Sequence, residues 1–140
     1  MTEISAIMQN NHRHCDALYA TAEEAVANQD WPAADEAWKS FASEVDTHIT
    51  VTEEGKLFPA LEAAGGPTGP IGVMRMEHEQ MRALLAQMDA ALASREAQQF
   101  LGLGETLMML TQQHNMKEEN ILYPIMDQCI PEQADEIQQS

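Results

Sequence analysis

The chain has 140 residues, of which 44% are hydrophobic, and a formal net charge of −16 from 23 acidic and 7 basic residues. This length suits one domain with its own core, and we predict a single domain over 1–140. The acidic balance argues against nucleic acid or an anionic membrane surface as a partner, because both require a basic face. The two cysteines do not form a disulfide pattern, and the sequence has neither a signal-peptide pattern nor an apolar stretch of about 20 residues. These features favour a cytoplasmic protein.

Four helices are predicted in chain order, and two of them fill the first half. Ala, Glu, Gln, Leu and Met are frequent, and all of them favour helix. Apolar residues at helical spacing predict a first helix over about 3–28. Asp30 fits an N-cap with Pro32 in the turn behind it, and the second helix is predicted over about 31–64.

The strongest loop signal, GGPTGPIG over residues 65–72, divides the chain almost in half. A third helix is predicted from near Pro70, over about 70–93. A fourth is predicted over about 95–128, with Ser94 as its cap.

Two prolines, Pro59 and Pro124, lie late in the second and fourth helices, and each is expected to kink or end its helix. Four amphipathic helices joined by short loops predict an all-α fold. The expected arrangement is an antiparallel up-down-up-down four-helix bundle, built from two repeated helical hairpins.

The two halves of the chain repeat one pattern of chemistry-bearing residues. The histidines recur 66 residues apart, so that His12 and His48 in the first half correspond to His78 and His114 in the second. The segments EEGKLFP (53–59) and EENILYP (118–124) follow at an offset of 65. Two such hairpins packed about a pseudo-twofold axis would bring four histidines and two carboxylates toward one point.

The spacing between histidine and glutamate differs by one residue between the halves. His114 and Glu118 are four apart and share one helix face. Glu53 is five residues after His48 and would face partly away on a regular helix. We therefore predict a π-bulge or irregular turn between His48 and Glu54. A regular helix there would instead favour a structural or protein-binding bundle with a degenerate metal site.

Imidazole and carboxylate groups are suitable ligands for iron, manganese or zinc. If both glutamates bridge two metals, each metal receives two histidines and two carboxylate oxygens. An octahedral iron then keeps about two open positions. One can take a bridging oxo or hydroxo group, and the other a small diatomic ligand such as dioxygen or nitric oxide.

These repeated motifs resemble the hemerythrin family, specifically the bacterial hemerythrin-like HHE cation-binding domains, over about residues 4–127. The resemblance implies a non-haem di-iron site inside a four-helix bundle. The metal ligands it implies are His12, His48, Glu53, His78, His114 and Glu118. Oxygen-carrying members have a fifth histidine four residues before the third-helix histidine, where this chain has Met74. The ligand set is more similar to that of the di-iron proteins that repair iron–sulfur clusters.

The predicted function is a non-haem di-iron protein that binds or senses dioxygen or nitric oxide, or responds to oxidative stress. Iron delivery or iron–sulfur cluster repair is one alternative, and a structural or protein-binding bundle is the other. The expected cofactor is two iron ions with an oxo or hydroxo bridge, and manganese or zinc are alternatives. The sequence assigns no catalytic residue, and it leaves enzymatic activity, protein partners and oligomeric state open.

Several acidic residues and one histidine near the predicted ligands can be interpreted either as surface residues or as parts of the metal site. The repeat selects His12 over His14, because His12 aligns with His78, and His14 is expected at the surface. Glu54 and Glu119 are expected to be solvated; the alternative is that each orients a histidine or serves as a ligand. The neighbours of His78, Glu77 and Glu79, are expected to be solvated.

Cys15 is read as a small buried hydrophobe, or as a thiol that lines the metal cavity and is open to redox chemistry. Tyr19 and Tyr123 are read as core packing, or as hydrogen-bond donors to a ligand bound at the metals. The ten methionines are expected to fill the core.

Overall fold

The computed structural model describes residues 2–138, and the elements in that range are all helices, which confirms the all-α class. Residues 1, 139 and 140, which the predicted domain of 1–140 includes, lie outside the described part. The elements are α1 (Ile4–Ala27), α2 (Trp31–Asp46), a first π-helical segment (Thr47–Leu57), α3 (Phe58–Ala63), α4 (Thr68–Ala93), α5 (Ala97–Lys117), a second π-helical segment (Glu118–Leu122), α6 (Tyr123–Cys129) and α7 (Gln133–Gln138).

The helices associate as two hairpins that meet along α1. α2, the first π segment and α3 follow one another without a break, and so do α5, the second π segment and α6. α1 packs against α2 to form the first hairpin, and α4 packs against α5 to form the second. α1 also contacts α5 and α6, and these contacts join the two hairpins.

The turn between α3 and α4 is shorter than predicted, because α4 begins at Thr68 and not near Pro70. A proline is tolerated in the first turn of a helix, where its missing amide hydrogen is not needed. Gly65 has a φ of 80°, and the N–H of Gly66 donates to the Leu61 carbonyl at 2.9 Å. A left-handed glycine with this bond is a common helix end.

The predicted caps had opposite outcomes. Asp30 caps α2 as expected, since its side chain accepts a hydrogen bond from the N–H of Ala33. The prediction that Ser94 caps the fourth helix is wrong, because Ser94 belongs to the end of α4. Arg95 takes the left-handed conformation (φ 58°), and α5 follows with Glu96 at its N-cap. The positive φ of an arginine has no clear sequence signal.

Pro59 and Pro124 do not end their helices; each follows a π segment and lies in the first turn of the next α-helix. Proline has no amide hydrogen, and its ring crowds the carbonyl four residues back in an α-helix. Just before Pro59, the N–H of Phe58 donates to a carbonyl five residues back, that of Glu53. The N–H of Tyr123, just before Pro124, makes the same type of bond. The wider winding therefore precedes both prolines.

The hydrophobic core has two clusters. One joins the start of α1 to α3, α6 and α7, and contains Ile4, Met8, Leu57, Phe58, Leu61, Ile71, Met74, Leu122, Tyr123, Met126, Ile130, Ala134 and Ile137. The other lies between the later part of α1, α2, α4 and α5, and contains Tyr19, Val26, Ala34, Trp38, Phe41, Val45, Ile49, Met81, Met88, Ala91, Leu92, Phe100 and Leu107. Both clusters supply the burial that holds the helices together.

Within residues 2–138, no helix combines the length and the apolar character needed to cross a membrane.

Gly104 provides a test of packing in the second cluster. A Cβ at this position would lie 1.7 Å from the Tyr19 hydroxyl oxygen and 3.3 Å from the Met88 side chain. We expect Gly104→Ala to lower the free energy of unfolding by about 1–3 kcal/mol, because overpacking displaces the tyrosine. Chemical denaturation monitored by circular dichroism measures this change.

Gly102 is the matched control on the same helix, since a Cβ there would meet nothing within 4 Å. Gly102→Ala is expected to be neutral or to stabilise by up to about 1 kcal/mol, through helix propensity. Adding Tyr19→Phe to Gly104→Ala should recover part of the loss. A Gly104→Ala chain as stable as Gly102→Ala would contradict this account of the packing.

Candidate metal centre

Six polar side chains from different helices converge between the two clusters. They are His12 from α1, His48 and Glu53 from the first π segment, His78 from α4, His114 from α5 and Glu118 from the second π segment. Five of the six residues are buried, and the side chain of the sixth, His48, is 10% exposed. The competing His14 lies exposed on α1. The repeat therefore selected the inward-facing histidine correctly.

Each glutamate lies between one histidine from each hairpin. Glu53 Oε1 is 3.0 Å from His78 Nε2 and 3.6 Å from His48 Nε2. Glu118 Oε1 is 3.2 Å from His12 Nε2 and 3.3 Å from the Nε2 of the remaining histidine. Both carboxylates are thus placed to join the two hairpins through the centre.

The histidines pair within each hairpin. The ring centroids of His12 and His48 are 4.9 Å apart, and those of His78 and His114 are also 4.9 Å apart. The donor atoms form two sets, and each set could hold a metal ion. Within each set, all the donor atoms lie within 4.8 Å of one another. One set is Glu53, His78, His114 and Glu118, and the other is His12, His48 and Glu118. Glu118 is common to both.

The predicted irregularity between His48 and Glu54 is confirmed, and it is a complete π-helical segment of 11 residues. In π winding each hydrogen bond spans five residues, so residues five apart come into line. This winding places Glu53 beside His48 on the inner face. The second π segment was not predicted, because His114 and Glu118 are four residues apart and need no bulge to align. The shared proline is the signal that could have indicated it.

Most of the buried unpaired polar atoms in the described chain belong to this cluster. His48 Nε2, Glu53 Oε1, His78 Nε2 and Glu118 Oε2 are fully buried and make no well-aligned hydrogen bond; the 3.0 Å approach of Glu53 Oε1 to His78 Nε2 lacks the required angles. Leaving such groups unpaired in a protein interior is costly, and for a carboxylate the cost is large. A metal ion satisfies imidazole nitrogen and carboxylate oxygen together. The donor set therefore fits a metal centre.

Outer carboxylates hold three of the four histidine rings. Glu119 lies 2.6 Å from His12 Nδ1, and Glu54 lies 2.7 Å from His78 Nδ1. The expectation that these two glutamates are solvated is wrong, and the alternative that each orients a histidine is correct. An inward-facing imidazole needs an acceptor for its Nδ1 proton, and a carboxylate there fixes the tautomer that leaves Nε2 free.

The third outer carboxylate is Glu77, which lies 2.9 Å from His114 Nδ1. The prediction that it is solvated is wrong: Glu77 is 7% exposed. Its place next to His78 on α4 turns it toward α5, and the sequence repeat gave no signal for that contact. Glu79 is solvated as expected, with a side chain that is 72% exposed.

Tyr123 was not distinguished from Tyr19 by the sequence, but the two have different surroundings. The Tyr123 hydroxyl lies 2.6 Å from Glu53 Oε2 and 2.8 Å from Glu118 Oε1, and its single proton can be donated to one of them at a time. It is also 3.2 Å from His12 Nε2. Within residues 2–138 the Tyr19 hydroxyl has no hydrogen-bond partner, and it lies against α5.

The ionisation of the histidines depends on the neighbouring carboxylates. Burial lowers the pKa of His48 to about 4, so this imidazole is neutral at neutral pH. Burial also lowers the pKa of His114, but the hydrogen bond and charge of Glu118 outweigh that effect and raise it to about 9. The pKa values of His12 and His78 are raised by their carboxylate neighbours in the same way.

The two central carboxylates have pKa values that are shifted in opposite directions. Burial raises the pKa of Glu53, and the charge of Glu118 adds to this. The pKa of Glu118 is lowered despite burial, because the neighbouring Glu53, His114 and His12 stabilise its charged form. Burial and both carboxylates raise the pKa of Tyr123, which is therefore a neutral phenol at neutral pH.

A small cavity of about 30 Å³ adjoins the centre within the second hydrophobic cluster. Half of its lining residues are aliphatic, aromatic or methionine, and the others are His12, Cys15, Asp16, His48, Thr111, His114 and Asn115. Such a volume accommodates about one or two molecules the size of water.

One comparison with known proteins agrees with this geometry. The family model of the hemerythrin HHE cation-binding domain matches residues 3–126. A search of curated proteins and a search of solved structures gave no significant match. Since the matched segment covers most of the chain and includes all six converging side chains, the chain belongs to the hemerythrin HHE cation-binding domain family.

Proposed function

We propose that the chain binds two metal ions, with iron as the physiological metal, and uses them to bind or sense a small diatomic ligand or to respond to oxidative stress. The proposed ligands are His12, His48, Glu53, His78, His114 and Glu118. The observation that carries the proposal is the set of four buried, unpaired donor atoms among these side chains. The family assignment supports cation binding, and zinc or manganese remain alternatives because they accept the same donors.

The proposed division of ligands follows the distances. His12 and His48 would hold one metal, His78 and His114 would hold the other, and Glu53 and Glu118 would supply carboxylate oxygens to both. Each glutamate has an oxygen within 3.6 Å of a histidine from both hairpins. This arrangement also supports an up-down-up-down course of the four long helices within a single domain, with α7 as an addition.

The residues around the centre would prepare it for a neutral diatomic ligand. A pair of iron ions would supply redox chemistry and open coordination positions. The outer carboxylates hold the imidazoles with Nε2 facing inward. The cavity beside His12, His48 and His114 has room for a molecule the size of dioxygen or nitric oxide. Tyr123 holds a proton within hydrogen-bonding distance of both central carboxylates.

The structure bears differently on the two alternative functions, a degenerate site and iron delivery or cluster repair. The degenerate-site reading depended on a regular helix after His48, and the helix there is π-wound. Iron delivery or cluster repair would use the same ligands, and the reaction with dioxygen distinguishes it from ligand carriage. Both cysteines are free, as suits a reducing compartment, and we propose the cytoplasm as the location.

The first prediction concerns metal content and the reaction with dioxygen. Anaerobic loading with ferrous iron should give two ions per chain by elemental analysis. Glu53→Gln or Glu118→Gln should weaken binding at least about tenfold, because each removes a charged bridging ligand. Glu36→Gln, at an exposed site on α2, is the matched control and should bind as the wild type does.

The absorption spectrum of the ferrous protein is then recorded before exposure to dioxygen, during it and after its removal. A reversible change supports ligand carriage, and irreversible oxidation supports sensing or repair. A wild-type chain that retains far fewer than two metals after loading would contradict the proposed centre.

The second prediction concerns pH. With a pKa of about 9, the His114 imidazole of the metal-free protein is protonated at neutral pH, so metal binding must displace a proton. Metal affinity should therefore rise between pH 6 and pH 8. Calorimetric titration with zinc in two buffers of different ionisation enthalpy measures the protons released. An affinity that stays level or falls over this range would count against ligation by His114.

The third prediction concerns Cys15, whose pKa is raised to about 12 by burial and by the charges of Glu44 and Asp16. At pH 8 only about one thiol in ten thousand is ionised, so the folded protein should react slowly at this position. A disulfide reagent should modify the exposed Cys129 first. Cys129→Ser should abolish the fast phase of labelling. Rapid labelling of Cys15 in that variant would contradict this prediction and support a redox role for the Cys15 thiol.

A further inference from the structure

The outer carboxylates of the second hairpin's histidines are themselves paired with cations. Glu54, which holds His78, is 2.8 Å from Arg82 Nη2. The same guanidinium nitrogen donates to Thr50 Oγ1 at 2.9 Å, which fixes the arginine across two helices. Glu77 hydrogen-bonds to both the His114 imidazole and the Lys117 ammonium. Each chain of contacts therefore runs from imidazole to carboxylate to cation.

The first hairpin's histidines lack this support. Glu119 holds His12, but no cation in the described chain pairs with Glu119, whose side chain is 32% exposed. His48 has no hydrogen-bond partner for either ring nitrogen among residues 2–138. Its contacts are the ring of His12 and the Glu53 carboxylate at 3.6 Å.

Two independent features have the same asymmetry. Four donor groups lie within mutual reach around His78 and His114, but only three around His12 and His48. Both histidines of the first hairpin, His12 and His48, line the cavity, whereas of the second hairpin's pair only His114 does. We call the His78–His114 side the anchored position and the His12–His48 side the open position.

The asymmetry has a direct consequence for affinity. A ligand ring that is already held in its binding orientation loses less freedom when the metal arrives. Removing the hydrogen-bonded partner of a metal-bound histidine typically costs 10–100-fold in affinity. The cations fix the partners themselves, since a carboxylate paired with arginine or lysine keeps both its place and its charge.

Given the proposed metal centre, on which this inference rests, we propose that the two positions fill in order. The anchored position binds the first metal tightly, and the open position binds the second more weakly, by at least about tenfold. Arg82 and Lys117 are positioning residues that act on the first metal through Glu54 and Glu77. The weaker metal is the one whose two histidines both line the cavity, so it is also the one that exchanges.

The test on the wild-type chain uses zinc, which is diamagnetic. The metal-free protein is titrated while the imidazole signals of its histidines are followed by proton–nitrogen NMR. At one equivalent, the signals of His78 and His114 should take their metal-bound positions, and those of His12 and His48 should follow only at the second equivalent. The exposed His14 is an internal reference that should not move.

The variants test the positioning role. Arg82→Gln and Lys117→Gln should each weaken the first binding step about tenfold and leave the second step within about twofold. Arg82→Lys and Lys117→Arg keep the charge and should recover much of the loss. Arg95→Gln removes a cation that pairs with Asp35 on the surface and should change neither step. Thermal unfolding of each metal-free variant checks that the fold is retained.

The outcomes separate the two proposals. If His12 and His48 respond first, or if all four rings respond together, the filling order is wrong although the metal centre stands. If the order holds but Arg82→Gln and Lys117→Gln leave the first step unchanged, the cations have no positioning role. If the signals of His12, His48, His78 and His114 all fail to respond to zinc, the metal centre itself is wrong.

Discussion

Burial of two carboxylates at the centre of an all-helical core is the constraint on which this structure depends. Glu53 and Glu118 have no exposed surface, and each keeps an oxygen without a hydrogen-bond partner. A core of apolar side chains cannot compensate such groups. The surrounding residues do so in part, with imidazole nitrogens at 3.0–3.6 Å and the hydroxyl of Tyr123 shared between the two. The remaining deficit is what a cation would fill.

The backbone is shaped by the same requirement. An α-helix would turn Glu53 away from His48, and the π winding that corrects this lies in the middle of a long helix, next to a proline. π-helical turns are rare and are found mostly at functional sites. The outer carboxylates extend the arrangement toward the surface, where Glu54 joins the His78 ring to the Arg82 guanidinium. Packing, winding and surface charge thus serve one small group of atoms.

The sequence predicted this arrangement where a pattern repeats and missed it where a contact is particular to one helix pair. The convergence of histidines and the bulge before Glu53 were visible because two halves could be compared. Glu77 was missed because an acidic residue beside His78 looks like many others in a chain with 23 acidic residues. Tyr123 could not be separated from Tyr19, since both lie on apolar helix faces and only the packing of helices decides which hydroxyl meets the carboxylates.

The placement of each glutamate between histidines of different hairpins bears on how the chain is put together. One hairpin alone contributes two histidines and one glutamate, which is half of the donor set. Two identical hairpins could therefore have formed a symmetrical centre at their interface, as a homodimer does about its twofold axis. Covalent linkage of the halves removes the requirement for identity. The extra residue after His48 and the cations confined to one side are then differences that only a fused, internally duplicated chain can retain.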